Sequence, residues 1–586
     1  MKSKQHNISA IASGVALGLA SIAAQAADQP ALSTAGPAAT ASFAGGATVN
    51  GGASYISSVP ANVPADLVAT ITPATSDVGS EGDLIAALDV PGVGVFNLLS
   101  GGIWLPLDTS NVYSYATKTL EAQEQVTVLD DLVGSTAGLE GATLSAFVGY
   151  YTGGNLANLT YSATPATMTI DAAAGASCPA NTFAGVGTFK GKDVCILSGR
   201  IESDTHLTNN FSYLLDGAVF VGANDLGGDR TQLTIDAGTY IVSETGLNFL
   251  VIDRNGQIFA NGSADQPVIF TYVEDDTATA STTGQWGGLI LNGNAPLNVS
   301  GGTAEGEGST GTYGGTDSAD SSGSLTYVQV KYAGQNITES NELNGIAFQG
   351  TGSGTVVDYV QVHNNSDDGI EFFGGSTNAK HILLTGNEDD ALDWTFGWDG
   401  KVQFVAMKQN AASEHCIEAD NNGDDNDATP RSNPTISNMT CAGPDTNSDS
   451  GFRLREGTSA SLYNVVMTAF EGYNVDIDQD ATFQNAGGSI ANLNGNLTMG
   501  NSRLDTNATF DDDAADAFLV SEWYGAQMGS ALMDVSLGGT SGLANSNELN
   551  AVTPMIPSDS FFDQVDYIGA VKDDSSDWTL GWSYSD

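Results

Sequence analysis

The stretch Asp368-Gly369-Ile370-Glu371-Phe372 contains a four-residue motif that returns, altered, along the second half of the chain. Successive motifs begin 24, 22, 25, 35 and 23 residues apart. In chain order they are Gly345-Ile346-Ala347-Phe348, Gly369-Ile370-Glu371-Phe372, Ala391-Leu392-Asp393-Trp394, Cys416-Ile417-Glu418-Ala419, Gly451-Phe452-Arg453-Leu454 and Asn474-Val475-Asp476-Ile477. A fixed period of about 20–30 residues with several short strands per period is typical of a β-solenoid. The pattern predicts stacked coils over residues 190–505.

A second strand-like run supports this prediction because it also recurs once per period. Its copies are Val360-Gln361-Val362, Ile382-Leu383-Leu384, Phe404-Val405-Ala406, Ile436-Ser437-Asn438 and Asn464-Val465-Val466. Strand alternation predicts that Ile370 and Phe372 face the interior and that Glu371 faces outward. Regular hairpins of an ordinary β-sandwich are the alternative explanation, and six motifs in register favour the solenoid.

The composition excludes several classes of protein. Among 586 residues, 69 are Asp or Glu and only 17 are Lys or Arg, which gives a formal charge of −52. Sequence-independent nucleic-acid binding needs cations that replace phosphate counterions, so we expect no nucleic-acid partner. Glycine at 71 positions with 41% hydrophobic residues argues against a coiled coil and for a β-rich, turn-rich fold.

The first residues have the pattern of a secretory signal peptide. Lys2 and Lys4 precede an apolar stretch over residues 8–24, and small residues then predict cleavage between Ala26 and Ala27. No later apolar run reaches about 18 residues, so we expect no transmembrane segment. The predicted location is secreted: extracellular, at the cell surface or in the periplasm.

The chain divides by composition into five segments. They are a signal peptide (1–26), a flexible Ala/Ser/Thr/Gly-rich lead-in (27–80), a small β-sandwich (81–172), the solenoid (190–505) and a C-terminal capping segment (506–586). Three aspartates at 511–513 ahead of an apolar run predict a helix over the last coil.

The four cysteines suit an exported protein. Cys178 and Cys195 lie 17 residues apart, and Cys416 and Cys441 lie 25 apart. Two local disulfides are the simplest pairing, although four cysteines allow three connectivities. A metal site is the alternative, but no CxxC spacing is present.

Several stretches together carry a resemblance to a known family. They are Val219-Phe220-Val221-Gly222, Gly284-Gln285-Trp286-Gly287-Gly288-Leu289-Ile290-Leu291, Tyr313-Gly314-Gly315-Thr316-Asp317, Val357-Asp358-Tyr359-Val360-Gln361-Val362, Asp368-Gly369-Ile370-Glu371-Phe372-Phe373-Gly374-Gly375, Val565-Asp566-Tyr567-Ile568-Gly569-Ala570 and Trp578-Thr579-Leu580-Gly581-Trp582. Over residues 190–586 the chain resembles secreted proteins of environmental Gram-negative bacteria. The resemblance implies export and a right-handed parallel β-helix of the pectin-lyase-like shape, and it implies no activity. The expected fold class is therefore all-β, with this solenoid preceded by the small sandwich.

The third motif position forms an acidic column along the predicted coils. It reads Ala347, Glu371, Asp393, Glu418, Arg453 and Asp476, and the turn beside it carries Asp367, Asp389, Glu414 and Asp449. Coils stack about 4.8 Å apart. Two carboxylates at that distance repel by ~1 kcal/mol in water and by ~3.5 kcal/mol at an effective dielectric constant of about 20. The column therefore needs a counter-charge or raised pKa values.

Calcium is the first predicted remedy, because it accepts six to eight oxygen ligands in irregular geometry. The insertion at 421–434, which lengthens one period to 35 residues, offers further oxygens around Gly423. The predicted ligands are Glu371, Asp393, Glu418, Asp420, Asn422, Asp424, Asp425 and Asp427. A solvated acidic loop is the alternative for the insertion.

Raised pKa values lead to an enzyme hypothesis. The groups Asn365-Ser366-Asp367-Asp368-Gly369, Glu388-Asp389-Asp390-Ala391, Glu414-His415-Cys416 and Arg453-Leu454-Arg455 follow an order similar to the active site of polygalacturonase-type glycoside hydrolases. The resemblance implies Asp389 or Asp390 as general acid, Asp368 and the remaining aspartate as water activators, and His415 and Arg453 as sugar-orienting groups. The sequence departs from that pattern where Cys416 follows His415 and where Arg455 replaces a lysine.

These features predict an exported, acidic, calcium-associated β-helix protein that binds an extracellular glycan or an outer-surface protein. A polysaccharide-degrading hydrolase or lyase is the first alternative. A structural matrix or surface component is the second.

Overall fold

A computed structural model describes residues 29–33, 40–49, 55–100, 102–108, 112–134, 137–171, 178–224, 226, 229–337, 342–444, 450–468, 470–507 and 509–585. The chain separates into two compact units, residues 1–177 with 183–185, and residues 178–182 with 186–586. The predicted signal peptide and Asp449 lie outside the described residues.

The first unit contains twelve strands joined in one hydrogen-bonded network, with β3 and β12 parallel and the other pairings antiparallel. The strands are β1 Gln29–Ser33, β2 Ser42–Thr48, β3 Ser58–Pro60, β4 Pro64–Thr72, β5 Glu81–Val90, β6 Gly94–Leu99, β7 Ile103–Pro106, β8 Ala116–Thr119, β9 Glu124–Val133, β10 Thr143–Thr152, β11 Thr160–Ser162 and β12 Ala166–Asp171. A two-layered sandwich stays a prediction.

The predicted lead-in at 27–80 differs from the structure, because β1 to β4 fall within it. Leu67, Ala69 and Ile71 of β4 are buried in the core of this unit. The bulk composition of the segment concealed this alternation of apolar residues, which is what allows the strand to form.

The second unit holds the solenoid. Its strands are β13 Phe183–Phe189, β14 Lys192–Ile201, β15 Thr205–Leu207, β16 Ser212–Val221, β17 Thr231–Ile235, β18 Tyr240–Ser243, β19 Phe249–Ile252, β20 Gly256–Asn261, β21 Val268–Tyr272, β22 Gly288–Asn292, β23 Ala304–Glu305, β24 Thr312–Tyr313, β25 Gly323–Lys331, β26 Ile346–Gln349, β27 Val356–His363, β28 Ile370–Phe373, β29 Asn378–Thr385, β30 Leu392–Thr395, β31 Lys401–Lys408, β32 Ile417–Ala419, β33 Thr435–Ala442, β34 Ser450–Leu454, β35 Ala460–Met467, β36 Tyr473–Ile477, β37 Leu497–Gly500, β38 Arg503–Asp505, β39 Ala531–Met533, β40 Leu537–Gly538 and β41 Ala544–Asn545. The helices are α1 Asp480–Asn485, α2 Val520–Ala526 and α3 Asn547–Asn550. In the part of the chain that the structure describes, no helix is both long enough and apolar enough to span a membrane.

Parallel pairing arranges these strands in three sheets, which confirms the predicted parallel β-helix. Sheet 1 runs through β19, β22, β26, β28, β30, β32, β34 and β36. The long strands β25, β27, β29, β31, β33 and β35 each bend, so that the first half lies in sheet 2 and the second half in sheet 3. Each coil thus passes from sheet 1 to sheet 2, bends into sheet 3, and returns through a turn to sheet 1.

The bend between sheets 2 and 3 is a column of residues with left-handed backbone conformation. Their φ angles lie between 49° and 64°, and they are Tyr327, Tyr359, His381, Phe404, Asn438, Asn464 and Asn501. Stacked rings join the first four, with centroid separations of 4.4, 4.2 and 4.9 Å along the column.

This bend corrects the predicted register of the second strand. Val360 pairs with Ile382 as expected, but Ile382 pairs with Val405 rather than Phe404. Val405 in turn pairs with Met439 rather than Ser437. Phe404 is the bend residue itself, and an alignment of apolar residues alone cannot distinguish a bend from a strand position.

The core of the solenoid is a continuous apolar cluster that ends beneath α2. Val520, Trp523 and Tyr524 of this helix belong to the cluster and are at most 3% exposed. The predicted capping helix therefore exists, but it starts nine residues after Asp511. Both predicted disulfides, Cys178–Cys195 and Cys416–Cys441, are present.

Residues 553–585, which we call the C-terminal segment, do not cap the end but lie along the bend column. Amide side chains on the column or within two residues of it donate hydrogen bonds to backbone carbonyl groups of this segment. The pairs are Gln329 with Trp582, Gln361 with Tyr584, Gln403 with Asp563, Asn438 with Tyr567, Asn464 with Met555 and Asn501 with Thr553. The predicted capping segment at 506–586 thus combines an end cap with a long lateral attachment.

Candidate functional site

The outer face of sheet 1 carries the predicted acidic column in register. Glu371 pairs with Asp393 across β28 and β30, and Asp393 pairs with Glu418 across β30 and β32. Arg453 and Asp476 continue the column on β34 and β36. The inward neighbours of these residues lie in the apolar core, so strand alternation places the carboxylates outside it. Glu371 and Asp393 are nevertheless only 9% exposed, so this face is covered rather than solvated.

The turn from sheet 3 to sheet 1 supplies a second column. It consists of the residue before each motif, namely Asn344, Asp368, Asp390 and His415, and the turn backbones bond from coil to coil. The Asp390 backbone N–H donates to Asp368 Oδ1 at 3.0 Å, and the His415 N–H donates to Asp390 Oδ1 at 3.1 Å. His415 Nδ1 also lies 2.7 Å from the same Asp390 oxygen. Each coil therefore fixes the carboxylate of the coil before it.

The two columns, together with Asp367 and Asp389 on the same turns, bring several carboxylates into direct proximity. In three groups of three residues, one ligand atom from each residue lies within 4.8 Å of the other two. The groups are Asp367 with Asp368 and Asp389, Asp368 with Glu371 and Asp393, and Asp390 with His415 and Glu418. We call these eight residues the acidic site.

Burial and mutual repulsion raise the pKa values of several of its acids. Burial is the main cause for Asp367, whose pKa rises to about 8, and for Asp389, whose pKa rises to about 7; neighbouring carboxylates add to both. The pKa values of Asp368, Glu371 and Asp393 are raised well above the usual range, again by burial first. Without a counter-charge, the folded protein therefore holds protons on this face near neutral pH.

Arginines border the acidic site on one side. Arg455 Nε donates to Asp420 Oδ1 at 2.9 Å, and its Nη2 also donates to Glu418. Burial still raises the pKa of Glu418 to about 8, although Arg455 acts in the opposite direction. Arg453 is held more loosely, since its nitrogens lie 3.8 Å from Glu418 and 3.9 Å from Asp476. Its side chain is 32% exposed, so its guanidinium is available to a ligand.

The group around Asp393 fits a hard cation. Asp393 Oδ1 is buried and accepts no hydrogen bond among the described residues. Asn344 Nδ2 donates to Glu371 Oε2 at 2.7 Å, which orients that carboxylate towards the group. Carboxylate oxygens are the preferred ligands of Ca²⁺, and a buried oxygen without a donor is costly unless something positive faces it.

The insertion at 421–434 does not join this group. Asn422 Oδ1 accepts from the backbone N–H groups of Asp424 and Asp425, and Asp427 pairs with Arg431. The side chains of Asp424, Asp425 and Asp427 are exposed, and none of them belongs to a three-ligand group in the part of the chain that the structure describes. The insertion folds as a self-contained turn because its amides and carboxylates satisfy its own backbone.

The predicted ligand set is therefore divided. Glu371 and Asp393 lie together, Glu418 lies with Asp390 and His415, and Asp420 is neutralised by Arg455. Four predicted catalytic residues, Asp368, Asp389, Asp390 and His415, belong to the acidic site, whereas Arg453 borders it.

Residues beyond the prediction complete the surroundings. Asn344 stands before its motif as Asp368 and Asp390 do, so the repeat itself would have identified it. Burial raises the pKa of Glu307 to about 7, and the charge of Glu307 contributes to the raised pKa of Glu371. Glu307 lies in the loop between β22 and β25, where no repeat signals a position facing the site.

The spacing of the aspartates bears on the hydrolase hypothesis. Oxygens of Asp367, Asp368 and Asp389 lie within 4.8 Å of one another. An inverting glycosidase separates its two carboxyl groups by roughly 6.5–9.5 Å to leave room for water. These three aspartates are more closely grouped than that mechanism needs.

A family model described as "Pectate-lyase like beta helix domain" matches residues 199–534, more than half of the chain. The chain belongs to this family. The match covers every strand of the acidic site and confirms the pectin-lyase-like resemblance seen in the sequence. No curated protein matches the chain.

Solved structures with some similarity include the Agl-KA catalytic domain, at 13% identity over 89% of this chain and 100% of that chain, with a TM-score of 0.22. The catalytic domain of a GH87 alpha-1,3-glucanase in complex with tetrasaccharides has 10% identity over 88% of this chain and 99% of that chain, also with a TM-score of 0.22. The catalytic unit of a thermostable GH87 alpha-1,3-glucanase from Streptomyces thermodiastaticus has 9% identity over 85% of this chain and 100% of that chain, and its TM-score is again 0.22. TM-scores this low carry no argument about function.

Proposed function

We propose that the acidic site binds calcium and that the protein is an exported, calcium-dependent glycan-binding protein. The observation that carries the proposal is the group of Asp368, Glu371 and Asp393, whose oxygens lie within 4.8 Å of one another on a covered face. Asp393 Oδ1, which accepts no hydrogen bond from any described residue, supports it further. A bound calcium ion would supply positive charge to the carboxylates and open coordination positions to ligand oxygens.

A glycan is the ligand class that this surface favours. The family description refers to pectate lyases, which act on polysaccharides, and sugar hydroxyl groups are oxygen donors that a hard cation accepts. The loosely held Arg453 guanidinium lies on the same face and can donate to such oxygens. The predicted signal peptide and the two disulfides support action outside the cytoplasm.

The test measures calcium binding by titration calorimetry and retention on a panel of immobilised polysaccharides with and without EDTA. Asp393→Asn removes one ligand charge at the centre of the group. We expect its calcium affinity to fall by at least about tenfold, because even second-shell changes commonly cost that much. Glycan retention should fall with it and should vanish for the wild-type protein in EDTA.

Asp476→Asn is the matched control. Asp476 lies on the same column, but beyond Arg453 and outside every three-ligand group of the described residues. It should bind calcium as the wild-type protein does. Equal calcium affinities for Asp393→Asn and the wild-type protein would contradict the proposed site.

A glycoside hydrolase is the second candidate function, favoured by the environment of Asp389 and not by the spacing of the aspartates around it. Asp389 is the most exposed carboxylate of its group, and burial raises its pKa to about 7, which suits a general acid near neutral pH. His415 Nδ1 lies 2.7 Å from Oδ1 of the adjacent Asp390, which holds that carboxylate in place.

Sugar release from the same polysaccharide panel separates the two functions. A hydrolase should release reducing ends that persist in EDTA and disappear in Asp389→Asn, whereas a binding protein should release none. Retention without release supports binding, and EDTA-resistant release supports hydrolysis.

A further inference from the structure

A cavity of about 440 Å³ lies between the outer face of sheet 3 and the chain around β40 and the end of the C-terminal segment. Its walls include Thr385 of β29, Lys408 of β31, Asn410, Ser541 and Tyr584. Small-molecule sites typically occupy about 300–1,000 Å³, so the cavity has room for a monosaccharide or a slightly larger ligand. It belongs to sheet 3 and is separate from the acidic site on sheet 1.

The far wall of this cavity is fixed in place. Gln361 Nε2 donates to the Tyr584 carbonyl at 2.8 Å, and the Tyr584 N–H returns a bond to Gln361 Oε1 at 2.8 Å. Lys408 Nζ donates to the Ser541 carbonyl at 3.3 Å. A site with pre-positioned walls loses less conformational entropy when a ligand binds.

The lining is unusual for this chain because the described residues that form it include no Asp or Glu. The chain as a whole has 69 acidic residues against 17 Lys and Arg. Lys408 contributes the ammonium group, and its side chain pairs with no carboxylate among the described residues. By contrast, Lys380 of the preceding coil and Lys401 at the other end of β31 both pair with aspartates of the C-terminal segment.

The other lining groups suit a ligand rich in hydroxyl groups. Amide and hydroxyl side chains such as Asn364, Asn410, Thr385 and Ser541 can donate to and accept from hydroxyls. Leu383 and Leu543 of the lining are apolar residues that suit the carbon face of a sugar ring.

We infer that this cavity is a second binding site, for a monosaccharide that carries one anionic group, either a carboxylate or a phosphate. Lys408 pairs with the anionic group, and the amides and hydroxyls of the walls bind the sugar hydroxyls. An ammonium that has no carboxylate partner among the described residues, in a cavity whose described lining residues include no acid, attracts an anion that the rest of this molecule repels.

The experiment uses the full chain in EDTA, so that the acidic site contributes no calcium-mediated binding. Glucuronate and glucose 6-phosphate are the probes, glucose is the uncharged reference, and saturation-transfer NMR with calorimetry measures their affinities. Lys408→Gln removes the charge and should weaken both anionic probes by about tenfold or more, the usual worth of a charge-assisted hydrogen bond. Its affinity for glucose should not change.

Two further variants make the result specific. Lys401→Gln removes a lysine of the same strand that lies outside the cavity and should bind like the wild-type protein. Thr540→Trp places a large ring at the cavity wall and should abolish binding of all three sugars, while an unchanged melting temperature shows that the chain still folds.

The proposal is overturned if neither anionic sugar binds the wild-type protein more tightly than glucose. It is also overturned if Lys408→Gln binds them as well as Lys401→Gln does. Tighter binding of one probe than the other identifies the anionic group. None of these results depends on calcium binding, so the two sites succeed or fail separately.

Discussion

Asp393 lies at the centre of the acidic site, with Glu371 on one neighbouring coil and Glu418 on the other. Its pKa is raised by burial first and then by these two neighbours. The register of this residue was predictable because the motif repeats with a fixed strand position. Its burial was not predictable, because alternation along a strand places a residue on the outer face without showing whether that face is covered.

Stability in the absence of calcium should depend on pH at this site. Asp367, with a pKa of about 8, and Asp389, with a pKa of about 7, bind protons more tightly when folded than their usual value of 3.8 allows. Their contribution is present below about pH 4 and is lost as pH rises to about 8, because the unfolded chain then holds fewer protons than the folded one. Urea unfolding in EDTA should therefore give a lower free energy of unfolding at pH 8 than at pH 5.

The double variant Asp367→Asn with Asp389→Asn is the control for the pH effect. This variant keeps the rest of the acidic surface. Any pH dependence of its unfolding free energy that remains therefore reports repulsion among the other carboxylates. If the unfolding free energy of the variant fell with pH as steeply as that of the wild-type protein, Asp367 and Asp389 would not be the cause of the pH dependence.

Asn438 tests the bend column. It is fully buried, has φ of 59°, and donates to the carbonyls of Tyr567 and Gly569 at 2.9 and 3.2 Å. Asn438→Gly keeps the left-handed backbone accessible and loses the hydrogen bonds, whereas Asn438→Ala also strains the backbone. We expect both to be destabilised, the alanine variant by about 1 kcal/mol more. If chemical unfolding showed the Asn438→Ala variant to be more stable than the Asn438→Gly variant, this account of the bend would be contradicted.

At the scale of elements, each coil is held by its neighbours and by side chains that tie non-adjacent segments together. The Cys416–Cys441 disulfide joins the turn before β32 to β33, and both cysteines are fully buried in the core. Between them lies the insertion at 421–434, the longest departure from the repeat. The disulfide therefore closes the loop that the insertion lengthens.

Replacing both cysteines, Cys416→Ala with Cys441→Ala, should lower the free energy of unfolding by about 3 kcal/mol, the chain-entropy expectation for a loop of 25 residues. Thermal melting compares this variant with the wild-type protein, oxidised and reduced. The double variant should match the reduced Cys416–Cys441 state, and reductant should affect it only through Cys178–Cys195. Equal melting temperatures of the variant and the oxidised wild-type protein would refute a stabilising role.

At the scale of the whole molecule, the second unit combines a repetitive solenoid with a non-repetitive segment along its side. The solenoid was predictable because Ile370, Leu392 and Ile417 recur at the same inward position and bury one continuous core. The path of the C-terminal segment was not predictable from the sequence. Its partners include Gln329, Gln361 and Gln403, and these bond to backbone carbonyls, which leave no pattern in the sequence of the segment.

The C-terminal segment should contribute strongly to stability. Trp582 is 3% exposed and meets Tyr327 and Tyr359 edge-on at centroid distances of 5.7 and 5.9 Å. Trp582→Ala should cost about 3 kcal/mol, as for other large-to-small substitutions at buried aromatic sites. Leu580→Ala, at a residue that is 39% exposed in the same segment, should change the unfolding free energy by less than about 0.5 kcal/mol. Similar losses for both variants would show that the segment is not anchored through Trp582.

Attachment through main-chain carbonyls has an evolutionary consequence. Most side chains of the C-terminal segment can be exchanged without disturbing the amide side chains that bind its backbone carbonyl groups, provided that its backbone path stays the same. Residues that line the cavity, such as Leu580 and Ser583, can then change in sequence without loss of this attachment. Relatives with the same scaffold can in this way acquire different small-molecule preferences while the coils beneath stay constant.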